Sequence, residues 1–130
     1  MSMKSLAKTL FGVSKRTFSY SSALRAVHPV VSSAVFNEKI SSPKLTVADF
    51  YATWCGPCKT IHPLLVTLSE KYDDVSFIKV DVDQMQDLAQ QYGVYAMPTL
   101  MVFKNGKLLD QIVGADLKLL RMSIAKNRLK

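Results

Sequence analysis

Residues 45–59 read LTVADFYATWCGPCK. Leu45–Tyr51 is a nearly continuous apolar run, the pattern of a strand covered on both faces by other elements. Behind it stand the only two cysteines of the 130-residue chain, Cys55 and Cys58, with Gly56 and Pro57 between them. Pro57 suits the first turn of a helix, where a missing N–H costs nothing. Leu64, Leu65, Leu68 and Tyr72 then recur in helical register, so a helix is predicted from the cysteines to about Tyr72, kinked at Pro63. The cysteine pair therefore sits where a buried strand gives way to a helix.

Working outward, the chain alternates strand and helix signals. Val27–Val31 is a short strand that Pro29 confines to an edge. Ser32 or Ser33 caps a helix running towards Ile40, and Ser41-Ser42-Pro43 is a turn. Val75–Val82 is a second apolar strand, and Gln84–Tyr92 a helix stopped by Gly93. Thr99–Lys104 and Lys107–Val113 flank Asn105-Gly106, the dipeptide a two-residue type I′ hairpin requires. Asp116 caps a last helix with Leu117, Leu120 and Ile124 inward, and its basic outer face reads as solvated. The order β-α-β-α-β-α-β-β-α implies an α/β domain, a mixed sheet with helices on both faces.

Charge separates this domain from what precedes it. Residues 1–37 carry Lys4, Lys8, Lys15, Arg16 and Arg25 and no acid, while the rest has twelve basic and ten acidic side chains. The net charge of +7 is thus no argument for nucleic acid, because the body of the chain is nearly neutral. Met3, Leu6, Ala7 and Leu10 form one apolar helical stripe with Lys4, Lys8 and Lys15 opposite. An amphipathic, serine-rich, acid-free start is the composition of an organellar presequence. The expected organisation is a mitochondrial presequence over 1–18, removed before Ser19, a short extension over 19–26, and a domain over 27–130. The matrix is the expected location, with plastid or cytosol as the alternatives. No run approaches the ~18 apolar residues that would span a bilayer. Nothing demands more than a monomer.

Three uses of the cysteine pair compete. A structural disulfide over so short a loop would stabilise by only about 2 kcal/mol, in a chain with ample apolar core. A zinc site needs four ligands, and His28 and His62 are the only histidines to join the thiols. At a helix N-terminus, by contrast, unpaired N–H groups favour a thiolate at Cys55. Cys55 would attack a foreign disulfide as the exposed nucleophile, and the sheltered Cys58, one turn on, would resolve the mixed species. Two charged residues interrupt apolar strands: Asp49 in LTVADFYA and Lys79 in VSFIKVDV. If those strands are neighbours, an Asp49–Lys79 pair lies beneath the cysteines. Burial would raise the carboxyl pKa and the lysine oppose that rise, leaving Asp49 able to take the Cys58 proton.

The run DFYATWCGPCK resembles the active-site run of the thioredoxin family, followed in family order by KVDVD, YGVYAMPT, FKNGK and VGA. The resemblance covers about Val27 to Ile124. It implies the thioredoxin fold, a mixed five-stranded sheet flanked by four helices, and protein-disulfide reduction. It implies that Pro98 is cis and that the Met97 backbone pairs with an extended substrate segment. Trp54, Gly56, Pro57, Val94, Ala96, Met97, Pro98, Gly114 and Ala115 would form the docking surface around a redox-active Cys55–Cys58 disulfide. No bound cofactor or metal is implied. Electrons would come from NADPH through a thioredoxin reductase and pass to disulfide-containing proteins such as peroxiredoxins. Tyr51, where many members have tryptophan, Ala96, where glycine is frequent, and His62 depart from the common pattern. His62 would modestly tune the thiols. The Gly-Pro between the cysteines is the choice of the more reducing members.

Overall fold

The computed structural model of the chain describes residues 27–129. The expected presequence and extension lie outside them. The elements follow as β1 (Val27–Pro29), α1 (Ser33–Ile40), β2 (Leu45–Tyr51), α2 (Gly56–Lys71), β3 (Val75–Asp81), α3 (Gln86–Gln91), β4 (Thr99–Lys104), β5 (Lys107–Val113) and α4 (Leu117–Asn127). The described strands form one five-stranded sheet in the order β1-β3-β2-β4-β5. The pairs β1–β3 and β2–β3 are parallel, and β2–β4 and β4–β5 antiparallel. The mixed sheet and the edge position of β1 are as expected.

Alternation along the central strands divides the core. Ala48, Phe50, Ile78, Val80, Met101 and Phe103 face one way, where Phe36 and Ile40 of α1 and Leu88 and Ala89 of α3 cover them. Leu45, Val47, Phe77, Leu100 and Val102 face the other way, against α2 and α4. Period 2 in the strands thus supplies both faces of a two-sided core. Asp49 shares the parity of Val47 and so points to the α2 side.

Local chemistry sets the element ends. The Val35 N–H donates to the Ser32 hydroxyl at 3.2 Å and caps α1, while the Leu119 N–H donates to Asp116 at 3.0 Å and caps α4. Asn105 and Gly106 take φ of 54° and 81°, the left-handed pair of a type I′ turn.

Two expectations shift. The third helix starts at Gln86 rather than Gln84, because Asp81 organises a turn first: its carboxylate accepts the Asp83 N–H at 2.9 Å and its carbonyl the Met85 N–H at 2.9 Å. On α2 the inward face is Ile61, Leu65 and Leu68, while Leu64 is exposed. At 100° per residue these three lie on one stripe, and Leu64 falls at its margin. As expected, the same helix runs as one element from the cysteines through Pro63.

Candidate active site

The strand-to-helix junction places both cysteines. Cys55 is the N-cap of α2, and its sulfur accepts the Cys58 N–H at 3.2 Å. The two residues are joined by a disulfide. Such an N-cap sulfur sits among unpaired N–H groups at the positive end of the helix dipole, which favours a thiolate once the bond is reduced. The expected contrast between an exposed Cys55 and a sheltered Cys58 does not hold, since their exposures are 5% and 4%. What differs is the surroundings of each.

Cys55 faces the loop before β4. Its sulfur lies 3.5 Å from the Met97 carbonyl oxygen, and the Met97–Pro98 peptide bond is cis, as expected. The Gly114 N–H donates to the Pro98 carbonyl at 2.8 Å, and the Thr99 hydroxyl to the Ala96 carbonyl at 2.6 Å. These bonds tie the loop to the end of β5 and fix the carbonyl that faces the sulfur. Of the expected docking residues, Gly56, Pro57 and Ala115 are exposed, Val94, Ala96, Met97 and Gly114 half-buried, and Pro98 buried. Trp54 is 66% exposed, and its indole N–H donates to Asp83 at 2.9 Å. Tyr95, 78% exposed, lines a groove with Val94 and Met97. Beyond its chain neighbours and its own helix, a Cβ added at Gly56 would meet no atom of the described residues within 4 Å, so packing among them does not demand glycine there.

Cys58 faces the opposite way, into a cavity of about 420 Å³ that it lines with Asp49, Tyr51, Lys59, His62, Lys79 and neighbouring backbone. Asp49 and Lys79 are register partners on the parallel β2–β3 pair. Adjacency was the expectation, but among the described residues no ion pair within 4.0 Å joins them. The Lys79 ammonium lies instead over the Tyr51 ring, 5.4 Å from its centroid, a cation–π arrangement. Register partners on parallel strands point the same way but are spaced by the strand separation, and the long lysine stem bends to the ring.

Asp49 is only 2% exposed, and its Oδ1 has no hydrogen-bond partner among the described residues. Burial pushes its carboxyl up to about 7, with the Lys79 charge holding the rise back. A carboxyl titrating there can both accept and release a proton near neutrality. Burial, with help from Asp81 and Asp49, raises the Tyr51 phenol, and burial followed by the Lys79 charge lowers His62.

Sequence reasoning missed the Asp83 brace on Trp54, the exposed Tyr95 and the Tyr51 seat for Lys79. The first and last join residues 29 and 28 positions apart, so no local pattern announces them. His62 has a local signal, its i+4 spacing from Cys58. Among the described residues no group of three or more His, Cys, Asp or Glu is placed to hold a metal ion. Nor is any helix there long and apolar enough to cross a membrane.

Known proteins resemble the chain in sequence and fold. The family model described as Thioredoxin matches residues 27–126. Thioredoxin-2, mitochondrial, of Schizosaccharomyces pombe is 50% identical over 112 residues, covering 86% of this chain and 84% of that protein. The solved mitochondrial thioredoxin 3 of Saccharomyces cerevisiae, in its oxidised form, superposes with a TM-score of 0.74 at 38% identity, covering 80% and 98% of the two chains. A further solved chain comes from work on thiol resolution in a yeast mitochondrial 1-Cys peroxiredoxin via glutathione/thioredoxin systems. It superposes with a TM-score of 0.73 at 39% identity, covering 77% and 94%. The chain belongs to the thioredoxin family, and its Cys55–Cys58 pair is that of a protein dithiol–disulfide oxidoreductase.

Proposed function

We propose that the protein is a mitochondrial thioredoxin that reduces protein disulfides in the matrix, as a monomer, after loss of residues 1–18. The domain is 27–130, and 19–26 is a short extension. The observation that carries the mechanism is the position of the disulfide, between a backbone carbonyl at Met97 and a buried carboxyl at Asp49. In the reduced protein the Cys55 thiolate attacks a substrate disulfide, forming a Cys55–substrate bond and releasing one substrate thiolate. The Cys58 thiol gives its proton to Asp49 and attacks the Cys55 sulfur, releasing the second substrate thiolate. Two electrons pass from the dithiol to the substrate. Lys79, close enough to act on Asp49 through its charge, keeps that carboxyl from rising further.

Trp54, Gly56, Pro57, Val94, Ala96, Met97, Pro98, Gly114 and Ala115 form the docking surface, with the Met97 backbone pairing an extended substrate segment. Peroxiredoxins are substrates of the right class, a reading supported by the yeast structure above. A thioredoxin reductase using NADPH restores the dithiol, so no cofactor need be bound. The mitochondrial relatives and the basic, acid-free residues 1–37 support the location. The test is insulin-disulfide reduction with NADPH and thioredoxin reductase, on protein beginning near Ser19. Steady NADPH consumption is expected, and none would sink the reading. N-terminal sequencing of the protein from isolated mitochondria should begin near Ser19, and an intact Met1 would contradict the presequence.

A further inference from the structure

The Asp49 proton needs a way out. Of the residues lining their shared cavity, Asp49 and Cys58 are buried, Lys79 and His62 half-buried, and Lys59 exposed. The ammonium groups of Lys79 and Lys59 carry donors only. The Tyr51 phenol, held above its ordinary range, keeps its proton. His62 remains, four residues after Cys58 on the same face of α2, and no hydrogen bond to another described residue occupies its ring. We infer that His62 is the outlet of the proton path, taking from Asp49 the proton that Asp49 receives from Cys58 and passing it to solvent.

Burial and the Lys79 charge both disfavour the imidazolium, so a proton that reaches His62 is passed on rather than held. The groups facing it are Asp49 and Tyr51 from β2, Lys79 from β3, and Cys58 and Lys59 from its own helix. The balance is closed. Cys58 loses one proton as its sulfur bonds to Cys55, the Cys55–substrate bond breaks, and the departing thiolate is protonated from solvent. The Asp49 proton returns to solvent through the imidazole. His62 acts through Asp49, so the inference rests on the reading of Asp49 as proton acceptor.

Single-turnover release of a peptide thiol by excess reduced protein tests it near pH 7, where part of Asp49 starts protonated and must lose that proton through His62 before it can serve Cys58. His62→Ala should slow release roughly three- to tenfold near pH 7, less than loss of a direct general base because water can partly substitute. Millimolar imidazole should restore the rate in proportion to its neutral fraction. In a Cys58→Ser background, where only the attack by Cys55 remains, H62A should leave mixed-disulfide formation unchanged. Asp49→Asn should slow release by itself and abolish both the H62A effect and the imidazole rescue. If H62A reacts at the wild-type rate, or is slow without responding to imidazole, the outlet is refuted while a slow D49N preserves the Asp49 reading. If D49N reacts at the wild-type rate, both are refuted.

Discussion

On one side of the disulfide Cys55 meets a backbone carbonyl; on the other, Cys58 lines a cavity with Asp49 and His62. The two residues are equally covered, so accessibility does not assign their roles. The neighbours do. A peptide strand can be held beside Met97, and a proton can be held at Asp49, but neither side is equipped for the other task. On the proposed mechanism, one helix N-terminus separates substrate binding from proton handling across a single bond.

The contrast is broken most completely at the sulfurs. Replacing either cysteine by serine should lower turnover at least roughly a thousandfold, but with different dead ends. C58S should accumulate a covalent adduct with substrate and C55S none, as read by non-reducing electrophoresis. An adduct in C55S but not in C58S would reverse the assignment.

The next largest effect belongs to the titrating side and is read in stability. Asp49 is raised from an ordinary value of 3.8 to about 7 in the oxidised protein. Below about pH 4 the carboxyl is neutral folded or unfolded and costs nothing. Between about 4 and 7 the unfolded chain releases its proton while the folded protein holds it, so stability falls as pH rises, then levels off. A shift of about three units corresponds to about 4 kcal/mol. Urea unfolding across pH 4 to 8 should therefore show a steeper decline for the wild-type protein than for Asp49→Ala. Parallel curves would mean that Asp49 is not desolvated as the fold places it.

On the binding side the effects are smaller. Asp83→Ala removes the acceptor of the Trp54 indole N–H and frees the ring. With one exposed hydrogen bond lost, kcat/KM for a protein disulfide should fall about two- to fivefold with Tm unchanged. A loss confined to the resolving step would contradict a docking role. Smallest of all, Gly56→Ala should stabilise α2 by about 0.4–1 kcal/mol, since the new methyl meets nothing. Its cost should appear as a raised KM. An unchanged KM would remove Gly56 from the docking surface.

What the sequence disclosed follows the range of the forces involved. The bounds of β2 and of the β4–β5 hairpin were legible residue by residue, because apolar pattern and the Asn-Gly turn act locally. The cysteine pair, Asp49 and Pro98 stood out as residues out of place for their elements or fixed by resemblance. The start of α3 was misjudged because the Asp81 carboxylate organises a turn that competes with a helix cap. The partner of Lys79 could not be read, since choosing Tyr51 over Asp49 depends on how far a four-carbon stem reaches across a strand pair. The His62 spacing places it beside Cys58, but only the assembled sheet puts Asp49 and Lys79 in the same cavity.

The central claim, that Cys55 takes the substrate and Cys58 resolves it with its proton going to Asp49, meets its most direct test in rapid acid quenching. Reduced wild-type and D49N proteins would be mixed with a peptide disulfide, quenched at millisecond intervals, and the adduct mapped by mass spectrometry. The predicted result is peptide on Cys55 alone, with an adduct lifetime extended roughly 10- to 100-fold in D49N. Peptide on Cys58, or the same lifetime in both proteins, would contradict it.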